Sequence, residues 1–139
     1  MRSSVETAAR PTAQVRLWVG AAMGDTAAIA AALSAGATID SLDPQGNRRA
    51  LNYAALGNRV AAIRLLLARG ASINLANRTG FTPVLHAVEG GANEALATLI
   101  EAGADITIAA AGGVTPLALA QRRGNQAAVN LLEAAVKKP

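Results

Sequence analysis

The chain has 139 residues, enough for one domain, and is 52% hydrophobic but only 2% aromatic, so small and branched aliphatic side chains must fill its core. It contains no cysteine, which excludes disulfides and thiolate metal sites, and no apolar run in it approaches the roughly 20 residues of a membrane-spanning helix. The net charge of +4 belongs to the ends: Arg2, Arg10, Lys137 and Lys138 are offset there only by Glu6, leaving nine basic and eight acidic residues between Pro11 and Val136.

Residues 1–11 are polar and carry no apolar stretch, so they read as a flexible tail and, as written, not as a signal peptide. A helical body follows over 12–136 and divides into four units, about 12–40, 41–74, 75–107 and 108–136, before a basic tail at 137–139. The first unit places Leu17, Gly20 and Ala21 on one helix and Ala28, Ile29, Ala32 and Leu33 on a second; no turn signature precedes it, as suits an N-terminal cap. In the second, Ala62, Ile63, Leu66 and Leu67 predict a strong helix, but Asn47, Arg49 and Ala50 make an irregular opening.

The third unit is the most complete. Asn77 to Gly80 predict a turn, Thr82 caps a helix that Pro83 begins, and that helix stops near Gly90 and Gly91. Ala95, Leu96, Leu99 and Ile100 then form the apolar stripe of a second helix, which Gly103 ends. The fourth repeats this with Leu117, Ala118 and Ala120, then Ala128, Val129, Leu131 and Leu132. It lacks the glycine exit, and its lysines suit the negative end of a final helix, so it reads as the other cap.

Laid over each other, the units show a fixed period. Gly80, Thr82, Pro83, Ala87 and Gly91 recur 33 residues later as Gly113, Thr115, Pro116, Ala120 and Gly124, while Gly70 and Ala71 recur as Gly103 and Ala104. A period of this length identifies a small supersecondary module that must stack on its neighbours to bury its apolar face. Gly36 and Gly70 stand 34 apart, which places one extra residue in the loop between Asp40 and Arg49.

A unit of this size with Thr-Pro opening a helix, a glycine in the middle and Gly-Ala at the end resembles the ankyrin repeat. The segments that carry the resemblance are Gly80–Val88 with Gly103–Ile106, Gly113–Ala120, Gly70–Asn74 and Gly36–Asp40. It covers about residues 14 to 136. The resemblance implies an all-α solenoid of four helix-turn-helix units joined by β-hairpin-like loops, and a protein-binding role through a concave face of fingertips and first helices. The pattern departs where the family's helix-opening histidine would fall on Asn52, Leu85 and Ala118, and where Arg49 replaces the capping Thr of the second unit. Loss of that cap typically weakens a helix start by about 1 kcal/mol, so the second entry loop is expected to be the least regular element.

Mapped onto this chain, the resemblance implies fingertips at Pro44, Gln45 and Arg48, at Arg78, Thr79 and Phe81, and at Ala111 and Val114. First-helix ends at Met23, Leu56, Glu89, Arg122 and Arg123 complete the face. Phe81 beside Arg78 has the chemistry of an interface hot spot, against the alternative that its ring folds back onto its own hairpin. Arg122 and Arg123 suit a solvated helix end as well as an acidic partner. Trp18 is expected to cover the end of the core, and Tyr53 and His86 share a position that Leu119 fills in the fourth unit, which predicts packing with a polar tip.

The expected activity is non-catalytic binding of a partner protein, with the partner-binding set Arg48, Leu56, Arg78, Thr79, Phe81, Glu89, Val114, Arg122 and Arg123. The alternative is a structural factor that stabilises a partner enzyme, in the periplasm if a signal sequence has been removed; as written the chain reads as cytoplasmic. No catalytic motif and no metal or cofactor site is expected, because a single histidine without cysteine makes no usual metal site. A near-neutral body argues against nucleic acid, a monomer is expected, and eleven arginines against two lysines point to a GC-rich, bacterial genome.

Overall fold

A computed structural model describes residues 11–137, so the two expected tails lie outside the described residues except for the exposed Pro11 and Lys137. Among the described residues the helices are α1 (Ala13–Met23), α2 (Thr26–Ser34), α3 (Ala50–Leu56), α4 (Val60–Ala68), α5 (Pro83–Glu89), α6 (Asn93–Glu101), α7 (Pro116–Arg122) and α8 (Gln126–Val136). They form four antiparallel pairs. The first helices α1, α3, α5 and α7 pack in one row and the second helices α2, α4, α6 and α8 in another. The molecule is thus the all-α solenoid that the period predicts.

Residues that recur at the period occupy the same place in every pair. Gly20, Ala54, Ala87 and Ala120 are all buried where first and second helices touch. A methyl group at Gly20 would already stand 3.3 Å from Ala28 Cβ, so the close approach needs small residues here. Between the helix rows lie Ile29, Ile63, Leu96 and Val129, and one turn on Ala32, Leu66, Leu99 and Leu132, each at most 7% exposed. Burying a Leu or Ile side chain contributes about 1.5–3 kcal/mol, so this double row dominates the folding energy.

Each helix pair turns at one residue in the left-handed region, Gly24, Asn58, Gly91 or Gly124, with φ between 59° and 74°. The following N–H bonds back to the buried small residue, as in Arg59 N–H to Ala54 O at 2.8 Å and Ala92 N–H to Ala87 O at 2.8 Å. Asn58 is the exception to glycine, and its side chain is employed: Oδ1 accepts from Ala95 N–H at 2.9 Å and Nδ2 donates to Glu94 at 2.7 Å. Helix α6 has Ala92 at its N-cap and cannot cap itself. The cap comes from the preceding unit.

Loops join the pairs as short hairpins. Asp43 N–H bonds Arg48 O, Asn77 N–H bonds Phe81 O and Ala110 N–H bonds Val114 O, all between 2.8 and 2.9 Å. Arg48, Phe81 and Val114 are therefore equivalent, and the extra residue of the second unit lies in the turn Pro44–Gln45–Gly46–Asn47. The irregularity ends there. Arg49 holds an extended conformation at the N-cap of α3, which has the same seven-residue length as α5 and α7. The lost threonine cap is answered by Asn52 Oδ1, which accepts from Arg49 N–H at 2.8 Å, and by the Arg49 guanidinium, which donates to Asp40 O and Ala76 O at 2.8 Å each.

The first pair differs from the others at its start. Thr12 caps α1, which gains a turn over the seven-residue first helices. Trp18 is half-buried against the core and donates its indole N–H to Ser41 O at 3.0 Å, which ties α1 to the loop of the second unit. The face is not a fully polar cap, since Val15, Val19 and Met23 are 38, 50 and 67% exposed along one side of α1.

Candidate functional site

The hairpins Asp43–Arg48 and Asn77–Phe81, of the second and third units, and helix α5 enclose a cleft of about 270 Å³ lined by Asn47, Arg48, Asn77, Thr79, Phe81, His86 and Glu89. Backbone bonds align its hairpin wall: Arg78 N–H donates to Gly46 O at 3.3 Å and Ala111 N–H to Thr79 O at 3.0 Å, so each fingertip braces the next. Asn77 organises its own turn, with Oδ1 accepting from Thr79 N–H, Thr79 Oγ1–H and Phe81 N–H while Nδ2 donates to Asn47 O at 2.6 Å. This wall is built before any partner arrives.

The floor is a polar cluster around Arg48. Its guanidinium stands over the Tyr53 ring, 5.6 Å from the centroid, a cation–π placement. Tyr53 O–H donates to Asp43 Oδ2 at 2.6 Å, and Asp43 Oδ1 accepts from Asn47 N–H at 3.0 Å. Burial pushes the Asp43 carboxyl up, but the bonds from Tyr53 and the backbone, with the Arg48 charge, outweigh it and hold the group below the ordinary carboxylate range. Burial and the bond to this carboxylate raise the Tyr53 phenol. Arg48 Nε is buried and, among the described residues, has no hydrogen-bond partner within ordinary bonding geometry.

His86 closes the floor. It is 3% exposed, and burial, then the nearby Arg48 charge, push its imidazole down to about 4 from the ordinary 6.5. The ring is neutral at pH 7. Asn52 Oδ1 already accepts from Arg49 N–H, so Asn52 presents its amide N–H to His86 Nδ1 at 3.2 Å and leaves the ring proton on Nε2. Phe81 packs on the other side, with ring centroids 5.2 Å apart and planes tilted by 53°.

Four of the nine residues expected to bind a partner, Arg48, Thr79, Phe81 and Glu89, line this one cleft. Phe81 is half-buried, resting on His86 while one side borders the cleft. Arg78 is exposed and lies across Gly46, where a Cβ would collide with its side chain. Leu56 packs under Gly90, Val114 is half-buried against the core, and Arg122 and Arg123 are exposed at the end of α7. Asn47, Asn77 and His86 also line the cleft; the shared position of Tyr53, His86 and Leu119 was the signal for the histidine, because it lies on the first-helix face turned toward the hairpins. Tyr53 and His86 have the packed body and bonded polar tip expected of them.

Among the described residues no three His, Asp or Glu side chains stand close enough to hold a metal ion, and no helix is long and apolar enough to cross a membrane. The family described as Ankyrin repeats (3 copies) matches residues 17–110, more than half of the chain, and the chain belongs to that family. The match runs from within α1 through the third helix pair and enters the hairpin before α7. No curated protein matches the sequence. Ankyrin repeats are in general protein–protein interaction modules and typically non-catalytic.

Proposed function

We propose that this protein is a non-catalytic binding module that engages a partner protein through the cleft between the hairpins of its second and third units and helix α5, with the fourth pair as a divergent terminal repeat. The observation that carries this reading is the pre-built wall: fingertip backbones are bonded to one another and Asn77 uses both side-chain polar atoms internally. A scaffold ordered in advance loses little entropy when a partner docks. Burial and the Arg48 charge push the imidazole down to about 4, which makes it a weak general base near neutral pH.

Arg48 and Phe81 supply the two side-chain types that most often dominate interface energetics, and Thr79 and Glu89 give the cleft polar edges. The test is affinity capture from the native organism with wild type and an Arg48→Ala, Phe81→Ala double variant of unchanged helicity. Loss of one specific protein from the variant supports the assignment. Undiminished capture of every partner refutes it.

A further inference from the structure

Given the binding role proposed above, we infer that the cleft recognises an aspartate or glutamate side chain in an extended segment of the partner, with an apolar residue about three positions from that acid. Arg48 carries the argument. Arg48 lines the cleft with its Nε turned to the buried side, out of a partner's reach, and Asp43 lies close enough for the two charges to act on each other. Both Asp43 oxygens are taken, one by Tyr53 O–H and one by Asn47 N–H. The internal acid is thus held by the tyrosine and backbone, and the terminal nitrogens of Arg48 are the donors left for a partner in the cleft. A carboxylate is the acceptor whose geometry matches a planar guanidinium, and Tyr53 holds that guanidinium in place.

The rest of the cleft agrees with a single acid. Asn47, Asn77, Thr79 and the neutral His86 add polarity without opposing charge. Glu89 lines the helix side and repels a second acid there. Arg48, Phe81 and Val114 hold the same position in successive hairpins, so the row reads cation, aromatic, aliphatic. Neighbouring units pack about 10 Å apart, and an extended chain covers that distance in about three residues, which sets the spacing to the apolar side chain.

The test pans short random peptides, displayed without a free C-terminus, against wild type, Arg48→Gln, Arg48→Lys and Arg64→Gln, a change at an exposed residue of α4, with folding checked by circular dichroism. Wild type and Arg64→Gln should enrich a consensus with one internal acid and an apolar residue about three positions away. Arg48→Gln should lose the acid and bind the wild-type consensus peptide roughly ten- to a hundredfold more weakly, with Arg48→Lys between them. A wild-type consensus without an acid, or one equally well bound by Arg48→Gln, overturns the inference and leaves the binding role standing. Failure to enrich any peptide on wild type overturns both.

Discussion

His86 shows how one buried side chain links packing to pH. Its folded pKa lies below the unfolded value, so the neutral ring stabilises the fold fully above about pH 6.5 and this contribution is lost as pH falls toward about 4. A depression of this size corresponds to about 3 kcal/mol. Asp43 is also lowered, from an ordinary value of 3.8, so its contribution is lost further into acid. Urea titrations of wild type should therefore show stability falling between pH 6.5 and 4.5, and His86→Leu, which copies Leu119 of the fourth unit, should flatten that interval. An unchanged slope in the variant would assign the titration elsewhere. The sequence showed that His86 shares its position with Tyr53 and Leu119 and so packs. It could not show the Arg48 charge beside the ring, because that contact joins two hairpin–helix units through an irregular turn.

At the scale of the element, Asn58 combines two functions that are separate in the other units. It takes the left-handed turn that glycine fills in the other three pairs, and it caps α6 from outside. Asn58→Gly keeps the backbone and loses the cap, so it should cost about 1 kcal/mol by urea denaturation. Asn58→Ala should cost about 1–2 kcal/mol more, because an L side chain without the local polar bond is strained at this φ. Equal costs would show that the cap, not the turn, holds the residue. Arg49 is the second such element. The sequence argument expects a weakened start to α3, since arginine cannot cap a helix through its side chain. Its bonds to Asp40 O and Ala76 O tie three successive segments together, a role for which spacing carries no signal. Arg49→Thr should consequently give no net stabilisation despite restoring the family's cap, and a gain near 1 kcal/mol would count against the tie.

For the whole molecule, periodicity was an effective guide because the folding energy is itself periodic. Leu66 and Leu99 sit in matching rows and are both fully buried, so Leu66→Ala and Leu99→Ala should each cost about 2–5 kcal/mol in denaturant titrations. The two costs should be similar, since each interior unit contacts a neighbour on both sides. A cost below 1 kcal/mol at either would mean the row is not continuous there. The candidate site was legible only in part. Arg48, Thr79, Phe81 and Glu89 could be placed on one face by laying units over each other, but Val114, Leu56 and the Arg122–Arg123 pair fall outside the cleft. Face membership follows from repeat position, whereas convergence depends on the extra residue in the hairpin of the second unit and on which side chains the core draws in.

That the cleft is the binding surface can be measured by placing a photo-activated benzophenone side chain at Thr79, on the cleft wall, and separately at exposed Arg64 on α4, then irradiating in the native cell. The same protein should be cross-linked from position 79 and not from position 64, and Arg48→Gln should abolish the adduct. Equal cross-linking from both positions, or an adduct that survives Arg48→Gln, would contradict the assignment of the partner to this cleft.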